Sequence, residues 1–125
     1  LRDKYPEMCI EFGTAGEFVM GMHSELEYKG HRLAGMYPHD QLKMAELAGA
    51  TIFGPVANTK TSKSSAWNMA RTITFMKPVG EIANIPIHVN MGMGVGGVTM
   101  TDHPPVDIVS RSSKAMVEIC RLDGL

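Results

Sequence analysis

The apolar positions of this chain alternate between two periods, one suited to strands and one suited to helices. Met8 to Phe12 is a short apolar-rich run that predicts a strand ended by Gly13. Leu42, Ala45 and Ala48 lie at helical spacing and predict a helix over about Pro38 to Ala48, with Gly49 as its left-handed cap. Thr51 to Val56 follows at once as a second strand. Ala66, Met69, Ala70, Ile73 and Met76 form the stripe of a second helix, with Ser65 as its N-cap. Pro78 is expected to kink or end that helix. Ile85 to Asn90 reads as a third strand. Pro104 and Pro105 open a last helix, where a missing N–H costs nothing, and Val106, Val109, Ser113, Met116 and Cys120 mark its inner face. Val117 to Leu125 reads as a helix end, a short turn and the first residue of another strand, and Leu1 to Pro6 as the tail of an earlier helix. Both ends therefore read as cut from inside a larger domain.

Strands alternating with helices imply an α/β fold with a parallel sheet, either doubly wound or closed into a (β/α)8 barrel. A barrel needs about 250 residues. Residues 1–125 would then be a single fragment of a TIM barrel: about three βα units and the start of a further strand. The segments after the strands are long, at Gly13 to Tyr37, Ala57 to Ser64 and Met91 to His103. Such βα segments are where α/β folds place their chemistry.

Composition narrows the function classes. The chain is 44% hydrophobic and 20% charged, within the range of globular proteins. Its net charge is −1, from 12 basic and 13 acidic residues with no run of one sign, which argues against nucleic acid or an anionic membrane as a partner. No apolar run approaches the roughly 18 residues of a membrane span. Cys9 and Cys120 fall in predicted buried elements and read as reduced core residues of a cytoplasmic protein.

Side chains alternate across a strand. In the third strand Ile85, Ile87 and Val89 share one face, and His88 and Asn90 share the other. In the first strand Met8, Ile10 and Phe12 face one way, and Cys9 and Glu11 the other. Glu11, His88 and Asn90 would thus gather near the strand ends, inside the barrel if the sheet closes. A carboxylate, an imidazole and an amide together suit proton transfer or the binding of a small polar substrate. The bland alternative is a paired polar layer that merely holds the sheet together. Asn58, just past the second strand, is a weaker candidate.

Met91-Gly92-Met93-Gly94-Val95-Gly96-Gly97 contains a literal G-x-G-x-x-G after a strand. A dinucleotide fingerprint runs straight into a helix, whereas here Val98 to His103 intervenes. The preferred reading is a close-approach loop over a site, its glycines serving unusual backbone angles. The 11 methionines, including Met20 and Met22, read as gap fillers and not as soft-metal ligands. His23, His31 and His39 match no common zinc spacing, and Ser62, Ser64 and Ser65 lack a nucleophile-elbow setting.

Longer motifs are more specific. Met22-His23, Leu33-Ala34-Gly35, Tyr37-Pro38-His39, Phe53-Gly54-Pro55-Val56, Asn58-Thr59, Thr61-Ser62-Lys63 and Ser65-Ala66-Trp67-Asn68 occur in an order that resembles the dimethylamine methyltransferases. So do Phe75-Met76-Lys77, the Met91 to Gly97 run, and Ser113-Lys114-Ala115-Met116-Val117-Glu118-Ile119. The resemblance covers essentially the whole chain. It implies a TIM barrel that moves a methyl group from dimethylamine to the Co(I) corrinoid of a cognate corrinoid protein in methylamine use for methanogenesis. The corrinoid stays on that partner, and this chain itself binds no cofactor or metal. The full-length protein is expected to be a homo-oligomer. The resemblance also implies a catalytic pyrrolysine, encoded by an in-frame amber codon, directly after Asp123-Gly124-Leu125. A piece ending at Leu125 is expected to be inactive alone. Asn90, where an acidic residue is expected, weakens a role for that position as a base. The competing class is a non-catalytic α/β module that binds a ligand or nucleotide through the Gly92 to Gly97 loop.

Overall fold

Phe53 decides the sheet, because it is completely buried and its strand is hydrogen-bonded on both sides. A computed structural model of the chain describes residues 1–15, 25, 27–32, 35–56, 66–89 and 103–125. In chain order its elements are β1 (Glu11–Ala15), β2 (Glu27–Tyr28), β3 (His31–Arg32), α1 (Pro38–Leu47), β4 (Ile52–Val56), α2 (Ala66–Ile82) and α3 (Val106–Cys120). β1 runs parallel to β4, with Glu11 opposite Ile52 and Gly13 opposite Gly54. On the far side of β4, Phe53 N donates to Pro86 O at 2.9 Å and His88 N donates to Phe53 O at 2.9 Å, a second parallel pairing. Val89 N then donates to Gly124 O at 3.1 Å, and Gly124 N to Ile87 O at 3.1 Å. Residues 11–15, 52–56, 86–89 and 124 therefore lie side by side in the order of the chain. Mixed helices and parallel strands make the fold α/β, as the alternating pattern predicts.

β1 begins three residues later than the apolar run suggests, and Gly13 lies inside it. Pairing with β4 sets the strand: Thr51 N and Ile52 N both donate to Ile10 O, at 2.9 and 3.1 Å. Met8 and Cys9 precede this ladder and are exposed. Cys9 is thus a surface thiol and not a core residue, whereas Cys120 is buried as expected.

α1 follows its pattern closely. Pro38 opens it and Gly49, at φ +86°, closes it. Gly49 N donates to Glu46 O and Ala50 N to Ala45 O, the paired bonds of a Schellman cap. Leu42 and Ala45 are buried, but Ala48 is exposed at the cap.

α2 sits rotated from its apparent stripe. Asn68, Thr72, Met76 and Val79 are buried, while Ala66 and Ala70 are exposed. Thr72 Oγ1 donates to Asn68 O at 2.9 Å, so the hydroxyl is satisfied within the helix and can face inward. Pro78 lies inside α2 and does not end it. α3 buries Ser112, Met116 and Cys120, whereas Val106 is 80% exposed and Val109 is also exposed. Only the second half of its predicted inner face meets the core. Arg121, at φ 54°, caps it, and Asp123 Oδ2 accepts from Ile87 N at 2.9 Å, tying the turn to the sheet.

The core is one layer between sheet and helices: Phe53, Ile87 and Val89 against Leu42 of α1, Met76 and Val79 of α2, and Met116 and Cys120 of α3. Within Gly13 to Tyr37, read from sequence as a loop, β2 and β3 form a hairpin. Its two turn residues, Lys29 and Gly30, both have positive φ, which matches the right-handed twist of the strands. Among the described residues no helix is long and apolar enough to cross a membrane.

Candidate functional site

The alternation of β1 and the 86–89 segment sends Phe12, Ile87 and Val89 toward the helices and leaves Glu11 and His88 on the opposite face. The structure brings these two together. His88 Nδ1 lies 3.3 Å from Glu11 Oε1. The two side chains are 51% and 48% exposed, so no described helix covers them. An ionised carboxylate only accepts hydrogen bonds, so a hydrogen bond from His88 to it is donated by Nδ1–H. A pair this exposed contributes at most about 1 kcal/mol to stability.

The two residues are not on neighbouring strands. β4 runs between them, and Gly54 lies on their path. A Cβ added at Gly54 would collide with Glu11 Oε1 and come within 3.3 Å of Glu11 Cδ. On the other side, a Cβ at Gly124 would lie 3.1 Å from His88 Cδ2. The carboxylate and the imidazole thus lie across a floor of bare backbone. Gly54 was missed as a site residue, although the sequence holds a signal for it. A glycine inside a strand, here between Phe53 and Pro55, commonly marks a close approach of another group.

Asn90, Asn58, Met91, Gly92, Met93, Gly94, Gly96 and Gly97 lie outside the described residues, as do His23, Ser62, Ser64 and Ser65. Among the described residues no three His, Cys, Asp or Glu side chains converge as a metal site. His31 and His39 do not join Glu11 and His88. His39 stacks on Tyr37 with ring centroids 5.8 Å apart and lies 3.5 Å from Asp40, and His31 belongs to the hairpin. A shallow cavity between that hairpin and α1 is lined by His31, Arg32, Asp40 and Lys43 among others, and includes neither Glu11 nor His88. At the start of α2, the Arg71 guanidinium lies over Trp67 at 5.2 Å and over Phe75 at 5.4 Å.

Away from this face, burial raises the Cys120 thiol to about 11, against a smaller opposing effect of Lys77. That thiol points to the Ile73 carbonyl at 3.9 Å and is a core group.

The described residues thus form a parallel α/β sheet with a carboxylate–imidazole pair on the face that no described helix covers. The chain matches the family model described as dimethylamine methyltransferase (Dimeth_PyL) over residues 1–125. It belongs to that family. No solved structure matches the chain.

Proposed function

We propose that this chain is part of an enzyme that moves a methyl group from dimethylamine to the Co(I) corrinoid of a partner protein, releasing methylamine, on a (β/α)8 barrel. The observation that carries this reading is the family match along the whole chain. The strand order supports the barrel. A barrel adds each parallel strand beside the one before it, as residues 11–15, 52–56, 86–89 and 124 do here, whereas a doubly wound sheet reverses its order at a switch point.

An amine is a poor methyl donor because its leaving group is basic. The family resemblance implies that the amine adds to the imine carbon of pyrrolysine, which fixes and activates it. Residues two apart on a strand share a face. A residue directly after Leu125 would share the face of Gly124, which pairs with His88. An electrophile there would adjoin the Glu11–His88 pair. Glu11, His88 and Asn90 are the proposed proton-handling and orienting groups. Asn58 and the stretch Met91, Gly92, Met93, Gly94, Gly96 and Gly97 are proposed to form the site's wall. The corrinoid belongs to the partner, and no residue of this chain is assigned to hold it. The enzyme is proposed to work in the cytoplasm as a homo-oligomer.

The test uses full-length protein made with amber suppression and supplied with its reduced corrinoid protein. Dimethylamine should disappear and methylamine accumulate. Absence of turnover with a methylatable partner would overturn the reading. An amber codon after the one for Leu125 is the expected genetic counterpart.

A further inference from the structure

We infer that Gly54 is a positioning residue: lacking a side chain, it lets Glu11 reach across β4 to hold His88 Nδ1, which leaves His88 Nε2 to accept a proton from dimethylammonium. The substrate in this statement rests on the functional reading above, and the pairing rests on geometry.

Neighbouring strands lie about 4.8 Å apart, so strands on either side of β4 are roughly 10 Å apart. Glu11 and His88 nevertheless approach to 3.3 Å. Their side chains must meet over β4, and Gly54 is buried where they do so. A Cβ there would meet the Glu11 Cγ, Cδ and Oε1 atoms together. Alanine at 54 would therefore displace the carboxylate, and the backbone need not move because the displaced group is the end of a flexible side chain. Gly124 closes the other side of the ring, 3.1 Å from a would-be Cβ to His88 Cδ2.

The chemistry needs this arrangement. A dialkylamine is mainly its ammonium at neutral pH and has no lone pair with which to attack an imine carbon. With Nδ1–H donated to Glu11, the Nε2 lone pair is the basic site of His88. The N–H bond of the ammonium breaks, its electron pair stays on the amine nitrogen, and a new N–H bond forms at Nε2. The positive charge moves to the imidazolium, beside the Glu11 carboxylate. No other reactant is required.

Full-length protein labelled with nitrogen-15 histidine tests this at a pH where imidazoles are neutral. The His88 signals are identified by their loss in His88→Gln. Wild type should show the Nδ1–H tautomer. Gly54→Ala and Glu11→Ala should move His88 toward the Nε2–H tautomer that free imidazoles favour in water. In both, kcat for dimethylamine should fall by about 100-fold, the low end of general acid–base contributions. An Nε2–H tautomer in wild type, or an unchanged one in Gly54→Ala, overturns the positioning role. A switched tautomer with unchanged kcat overturns the proton-acceptor role. The tautomer is read without substrate. A wild-type protein that fails to consume dimethylamine therefore counts against the functional reading alone, and the spectra still decide the role of Gly54.

Discussion

The two faces of the sheet are built from the same strands and differ in what lies on them. On one face Phe53, Ile87 and Val89 are at most 1% exposed and pack on three helices. On the other, Glu11 and His88 are about half exposed and lie over glycines. The covered face holds the fold through apolar burial and tight helix approach. On the other face the Glu11–His88 pair contributes little to stability and lies over backbone without side chains at Gly54 and Gly124. Alternation along a strand lets neighbouring residues, such as Ile87 and His88, serve these two ends independently.

That division makes the faces respond differently to substitution. Phe53→Ala, which empties the centre of the covered face, should cost about 3–5 kcal/mol and show as a large drop in thermal midpoint and soluble yield. An effect below about 1 kcal/mol would mean that Phe53 is not at the centre of the core. Gly80→Ala should cost about 1–3 kcal/mol, because the new methyl overlaps the Cys120 carbonyl where α2 meets the end of α3, and backbone there cannot swing aside. A wild-type melting curve would show that the helices have room to separate.

Cys120 gives a subtler probe of the same face. Its thiol is raised to about 11 in the fold from an ordinary 9.0, mainly by burial. The folded state holds its proton where the unfolded state has lost it, so this contribution to stability is fully present below pH 9 and is lost as pH rises through 11. Cys120→Ser should flatten the decline of stability across that window. Alkylation followed by peptide mapping at pH 8 should mark exposed Cys9 and spare Cys120, and equal labelling would contradict the burial of Cys120. The smallest effect on stability belongs to the uncovered face. Glu11→Ala should shift stability by less than about 1 kcal/mol in the same melts. A large loss would make the pair a structural layer.

Much of the fold is legible in the chain because its local signals agree with its packing. Pro38 and Gly49 bound α1 at both ends, since each favours a backbone conformation that few other residues adopt there. The facing of Ile87 and Val89 against His88 is also readable, as a period-two pattern with polar residues on one side. The failures occur where a partner outvotes the local pattern. Met8 and Cys9 look like strand but lie outside the ladder, and the inward face of α2 turned on the ability of Thr72 to bond its own helix.

By itself the sequence determined the alternation of strands and helices, the family, and the shared facing of Glu11 and His88, because these follow from residue types and their spacing. Only the tertiary structure decided that β1 starts at Glu11 and that β1, β4, the 86–89 segment and Gly124 lie side by side in chain order. It also decided that Gly54 is the gap through which a carboxylate reaches an imidazole two strands away. Those facts depend on which backbone lies beside which, and hydrogen bonds and close contacts between residues 77 positions apart leave no periodic trace along the chain.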